Sequence, residues 1–170
     1  MYPILSAFSG ITDQSAKAKI SLDTLRMSFQ TVAGTTVDGT AVANAAVGTF
    51  NALGLATNNA ATNTARMTSL FDVMDKTVQL GNMQWDAYKN VVSKVAVAIQ
   101  GTGISFKESQ AALAEMTNEG FSAQRAATYL ANFFTTAAIK TDALATHAKK
   151  LGIAFNEQAY AGMDLAQKIE

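Results

Sequence analysis

Cysteine is absent from this 170-residue chain, and histidine, proline and tryptophan occur once each. Without thiols there is no disulfide framework, no thiolate nucleophile and no thiolate-bound metal. His147 has no second imidazole with which to share a metal or relay a proton. Its place beside Lys149 and Lys150, near an expected helix end, reads as a solvent-edge or capping side chain. Excess charge is missing too, since 13 Lys and Arg balance 13 Asp and Glu. Nucleic acids and anionic membranes are bound by clustered cations, and zero net charge offers no such footprint. The opening Met-Tyr-Pro-Ile-Leu-Ser has neither the basic start nor the apolar run of a signal peptide. The longest charge-free run, between Asp38 and Arg66, holds Thr40, Asn44, Thr49, Asn51, Asn58 and Asn59. That is too polar for a membrane span of about 20 apolar residues.

What the chain does hold is small and apolar. Hydrophobic residues make up 49%, charged residues 15%, and mean hydropathy is +0.11. Disorder needs the opposite balance, so a packed domain is expected. Alanine supplies about a fifth of the residues. It loses no side-chain entropy in a helix and lets backbones approach closely, which favours packed helices over sheet.

Helical periodicity begins at once. Ile11, Ser15, Ala18, Leu22, Leu25, Phe29 and Val32 recur at four- and three-residue steps, with Lys17, Lys19, Asp23 and Arg26 off the seam. Residues 34–39 read as a loop. A repeated punctuation follows, in which a glycine and an apolar residue precede a polar cap candidate: Gly54, Gly81, Gly103, Gly120 and Gly152. Ser105 and Glu108 fit a capping box, and Ser122 and Thr57 fit plain N-caps. Between these marks lie helical stripes: Val42, Ala46, Phe50 and Leu53; Thr64, Met67, Leu70, Phe71, Met74 and Val78; Trp85, Tyr88, Val92, Val95 and Ile99. Phe106, Leu113 and Met116 form another, then Ala126, Leu130, Phe133, Phe134 and Ala137. Lys140-Thr141-Asp142 reads as a break, with Thr141 capping a last helix over 143–151. The fold class expected is all-α: a compact bundle of seven or eight short helices with glycine-capped tight joints.

Carboxylates share helix faces at Asp72 and Asp75, and at Glu108, Glu115 and Glu119. Neither set has the alternating short-loop spacing of a calcium site, and both read as solvated faces. No phosphate loop and no Gly-x-Ser-x-Gly nucleophile turn is present. No catalytic, cofactor-binding or metal residue is therefore nominated, and the chain reads as a non-enzyme. The pair of helices around Gly120 resembles a helix-turn-helix. Ala114 and Gly120 stand six apart where that motif wants four, and Arg125 is the sole cation between Ser122 and Ala138. A packing hairpin is expected there, with no sequence-specific nucleic-acid binding.

From residue 101 onward the order of elements resembles the conserved core of phage tail tape measure proteins, the phage-related minor tail protein family. The resemblance lies in Gly103-Ile104-Ser105-Phe106-Lys107-Glu108, in Ala111 to Thr117, and in Gly120-Phe121-Ser122-Ala123-Gln124-Arg125-Ala126-Ala127 up to Leu130. Leu151 to Phe155 and Asp164 to Ile169 continue it; Phe50 to Leu55 and Trp85 to Tyr88 are similar to its upstream helices. It covers roughly the last 130 residues. The resemblance implies a structural virion component that lies in the tail lumen, sets tail length during assembly and leaves ahead of the genome. It further implies self-association and contacts with tail tube proteins, tail-tip proteins and assembly chaperones. On this reading the chain is a portion of a longer protein, with an N-terminal amphipathic helical arm at 1–35 and a core-like domain at 36–170. A membrane-active helical module is the alternative, since Gly48, Ala52 and Ala56 have small-xxx-small spacing, with the host membrane as its partner at ejection. A helix-turn-helix regulator is a third reading.

The lack of Cys and of clustered His makes one outcome checkable: the chain should be mainly helical, and its thermal melt should not move when EDTA is added. A substantial drop in melting temperature with chelator would contradict this.

Overall fold

The computed structural model describes the backbone of residues 2–150 and the side chains of residues 4–136. It is all-α. The helices are α1 (Tyr2–Ala7), α2 (Gln14–Thr31), α3 (Gly39–Ala52), α4 (Ala60–Leu80), α5 (Trp85–Tyr88), α6 (Val92–Ala98), α7 (Phe106–Asn118) and α8 (Ala123–Lys150), with no strand among the described residues.

Six of these helices close a ring. α2 lies against α3 and α4, α3 against α6, α6 against α8, α8 against α7, and α7 back against α4. α1 rests on α2 and α3, and α5 on α8. One continuous core runs through the ring, from Ile4 and Phe8 through Phe50, Met67, Met74, Tyr88 and Leu113 to Phe134. In the segment 1–35, Ile4, Phe8, Ile11, Ile20 and Val32 lie inside that same core. Phe8 meets Phe50 edge to face, their centroids 5.8 Å apart.

Local chemistry sets most helix starts. Asp13 accepts from the Ala16 amide at 2.6 Å and Asp38 from the Thr40 amide at 2.8 Å. The capping box at α7 forms as expected: the Glu108 amide donates to the Ser105 hydroxyl at 3.2 Å, and the Ser105 amide to the Glu108 carboxylate at 2.8 Å. Ser122 accepts from the Arg125 amide at 3.4 Å. Thr57 is not a cap. Asn59 takes that place, accepting from Thr62 at 2.9 Å, because the buried Asn63 carboxamide already holds the Thr57 amide and hydroxyl at 3.0 and 2.9 Å.

The joints follow one hydrogen-bond pattern. After α3, Leu55 donates to the Phe50 carbonyl at 3.1 Å and Gly54 to the Asn51 carbonyl at 3.0 Å. After α7, Phe121 and Gly120 repeat this on Met116 and Thr117, both at 3.1 Å. Such a closure puts its middle residue in left-handed backbone, where glycine avoids a Cβ clash: φ is +63° at Gly54 and +96° at Gly120. Gly103 is also left-handed, while Gly152 lies outside the described residues. At the end of α4 the residue in that role is Asn82, at φ +48°, not Gly81. Gly81 is required by close approach instead. A Cβ there would run into the Thr117 hydroxyl of α7, the Met83 methyl and, at 2.9 Å, the Thr77 carbonyl.

Three further expectations fail. The stripe proposed for the first long helix faces outward in part, with Leu22 56% and Phe29 55% exposed. α2 buries Ala16, Ile20, Ser21, Asp23, Thr24 and Ser28 instead. Those hydroxyls bond their own helix's carbonyls at 2.7–2.8 Å, so small polar side chains can face α3 and α4 at close range. The stripe from Trp85 to Ile99 is buried, yet it is two helices and not one. Asn90 sits at the interruption and donates to the Asp86 carbonyl at 2.7 Å. No break occurs at Lys140-Thr141-Asp142, and α8 runs through it. Thr141's capping preference is small against an alanine-rich segment with no Gly or Pro.

These joints distinguish two kinds of glycine. Gly120→Ala meets open space but strained backbone, and should cost about 1 kcal/mol. Gly81→Ala meets occupied space and should cost more, about 1–3 kcal/mol. Urea unfolding of both variants tests this, and a Gly81→Ala protein as stable as the parent would contradict the close approach of α4 to α7.

Candidate functional site

The carboxylates singled out by spacing do not converge. Asp72 is exposed, Asp75 accepts from the Gln79 side chain at 2.8 Å, Glu108 belongs to the α7 cap, and Glu115 and Glu119 are exposed. Among the described residues no three His, Asp or Glu side chains are placed to hold a metal ion. The His147 side chain lies outside the described residues. The small-residue spacing at Gly48, Ala52 and Ala56 is used inside the fold. A Cβ on Gly48 would stand 3.1 Å from the Ser93 hydroxyl of α6, and Ala56 packs on Gly10. No helix among the described residues is long and apolar enough to cross a membrane. In the α7–α8 pair, Arg125 is stacked on Phe121 and Tyr129, 5.8 and 6.0 Å from their ring centres. Phe121, Tyr129 and Phe133 all stand exposed on this outer face.

Two polar groups that the sequence pattern did not flag lie inside. Asp23 is 7% exposed on α2. Its carboxylate accepts the Thr64 hydroxyl of α4 at 2.8 Å and Lys19 at 3.0 Å, with Arg26 at 3.6 Å. Burial pushes its pKa up, but the Thr64 and Lys19 bonds and the two nearby cations together outweigh that and hold it below the usual carboxylate value. The second group is a pair. The Tyr88 hydroxyl, from α5, donates to Gln110 Oε1 of α7 at 2.6 Å. Burial, only partly offset by the Thr77 side chain, pushes the phenol's pKa well up, so it stays protonated. Gln110 stands where α7's core stripe calls for an apolar residue, between Phe106 and Leu113. A polar residue in that phase was the available signal.

The same helices frame two recesses that share Val73 and Lys107. One, of about 360 Å³, is walled by Leu53, Leu55, Leu70 and Phe106, with Arg66 beside them. The other, of about 270 Å³, lies between α4 and α7, against Asp72, Lys76, Thr77, Leu80 and Gln110.

The chain matches the family model for phage-related minor tail protein over residues 3–170, and it belongs to that family. It is thus a structural component of the phage tail. No curated protein and no solved structure shows a significant match to it.

Asp23 ties acid sensitivity to the α2–α4 contact. Its folded pKa lies below the unfolded value, so its stabilisation is complete above about pH 4 and is lost as pH falls through the folded pKa. Asp23→Asn should lower stability at pH 7, by about 1.5–3 kcal/mol for the lost charged hydrogen bonds. Unfolding curves between pH 2 and 7 should show the variant and parent converging at the acid end. A constant gap across that range would contradict the assignment.

Proposed function

We propose that this chain works as a folded section of a tape measure protein, seated in the tail lumen and acting in tail assembly and genome ejection without catalysis. Membership of the phage-related minor tail protein family is the observation that carries the reading. The order of motifs from Gly103 to Leu130 supports its finer part. Its partners on this reading are other copies of itself, tail tube and tail-tip proteins, and assembly chaperones.

The fold bears on how such a section would contribute to length. A ruler needs continuous helix, rising about 1.5 Å per residue, and residues 36–170 drawn out that way would span about 200 Å. Straightening the joints would bring Phe50, Met67, Leu113 and Phe134 out of the core. Each costs about 1.5–3 kcal/mol to expose. A compact domain of this size has a radius of gyration of about 15 Å. The segment therefore adds little length and serves assembly or infection instead.

In-frame removal of residues 36–170 from the gene should shorten surviving tails by far less than about 200 Å, while reducing assembly or infectivity. Electron microscopy of the particles decides it. Tails shortened by the full helical value would mean that the segment works extended.

A further inference from the structure

The stripe of α2 that periodicity assigned to the core lies on the surface. Ser15, Ala18, Leu22, Leu25 and Phe29 recur at steps of three, four, three and four, the order of a coiled-coil seam. Ser15 and Ala18 are exposed, Leu25 is half-buried, and Leu22 and Phe29 keep 56% and 55% of their surface in water. α2 thus meets its neighbours mainly through small residues and turns its larger apolar ones outward, the reverse of an ordinary surface helix. The seam is partly fixed in advance. The Phe29 ring lies against the start of α3, where a Cβ on Gly39 would stand 2.7 Å from it. A ring held by its own fold loses little freedom when a second surface covers its open side.

The two flanks of the seam differ in charge. Asp23 bonds Thr64 of α4, so Lys19 and Arg26, which the same carboxylate holds at 3.0 and 3.6 Å, mark the α4 side. One carboxylate serves two cations there, which leaves one positive charge over. The α3 side, where Phe29 meets Gly39, carries the exposed Asp38.

We propose that this seam pairs with the same seam of a second copy of the chain, the two α2 helices lying side by side and parallel. A three-four repeat is matched by a helix with the same repeat, whose side chains fall into the gaps between these. Charge sets the direction. Parallel pairing puts the α4-side flank of each copy against the α3-side flank of the other, so the surplus cation faces Asp38. Antiparallel pairing would gather four cations around two carboxylates. An anionic membrane wants several unpaired cations beside the apolar stripe, and Asp23 already engages both of these. The proposal deepens the self-association contained in the tape-measure reading by naming its surface, and rests on that reading only for its place in the tail. A monomeric chain would remove the surface, while tail lengths still decide the reading.

The test uses the full chain in sedimentation equilibrium. A seam of five residues is short of the roughly 20–30 a side of a standard interface, so a dimer should appear at about 0.1–1 mM chain. Leu22→Glu, at an exposed position, should leave the thermal melt in place and weaken the dimer at least about tenfold. Because the chain has no cysteine, Ala18→Cys supplies a single thiol. Mild oxidation should link it to its counterpart, and should not link Gln124→Cys, exposed on α8. In an antiparallel pair centred between Leu22 and Leu25, the two Ala18 positions would be about 16 Å apart along the axis, too far for a disulfide. A monomer at 1 mM, a dimer indifferent to Leu22→Glu, a dimer in which Ala18→Cys does not link, or Leu22-dependent binding to phosphatidylserine vesicles without a dimer would each overturn the proposal.

Discussion

α3 touches α1, α2, α4 and α6 together, and a helix can meet four neighbours only if most of its side chains are small. Its buried positions are Gly39, Val42, Ala43, Ala45, Ala46, Val47, Thr49 and Phe50. A single large ring among them reaches Phe8, while Gly39 lies under Phe29 and Gly48 under Ser93. The rest of the ring depends on this. With α2 and α6 drawn close to α3, α4 and α8 follow on either side, and α7 closes the circuit between them. Alanine's lack of side-chain entropy loss offsets the modest apolar area that each such contact removes from water.

Close approach also governs the polar interior. Ser21, Thr24, Ser28, Thr49 and Thr77 are buried, and each hydroxyl bonds a carbonyl of its own helix. These residues act as small spacers whose polar atoms need nothing from the neighbouring helix. Where a polar group does reach across, it ties a specific pair: Asp23 with Thr64 joins α2 to α4, and Tyr88 with Gln110 joins α5 to α7. A low charge count is consistent with such an interior, since a buried charge requires partners that only a few positions provide.

A structural component of a phage tail works through its surfaces, and that is where the unusual features lie. The exposed aromatics of α8, the exposed Leu22 and Phe29 of α2 and the recesses beside α4 are all at the surface. None was legible as a site. The sequence reading placed Leu22 and Phe29 on a buried seam, because periodicity shows that a face exists without showing which neighbour covers it. Gln110 was passed over because a polar residue in a core stripe looks like an interruption until Tyr88 is seen beside it.

Composition and local pattern alone determined that the chain is all-α, where α7 and α8 begin, and where α3 and α7 end. Those features depend on bonds within a few residues: Ser105 with Glu108, Ser122 with Arg125, Gly54 with Asn51. Tertiary structure decided the rest. It turned α2 onto its polar small-residue face and split the run from Trp85 to Ile99 into α5 and α6. Local preferences at these places differ by a kcal/mol or less, about the size of one cap or one side chain's propensity. Burial against a neighbouring helix contributes more than that, and it depends on residues tens of positions away in the chain.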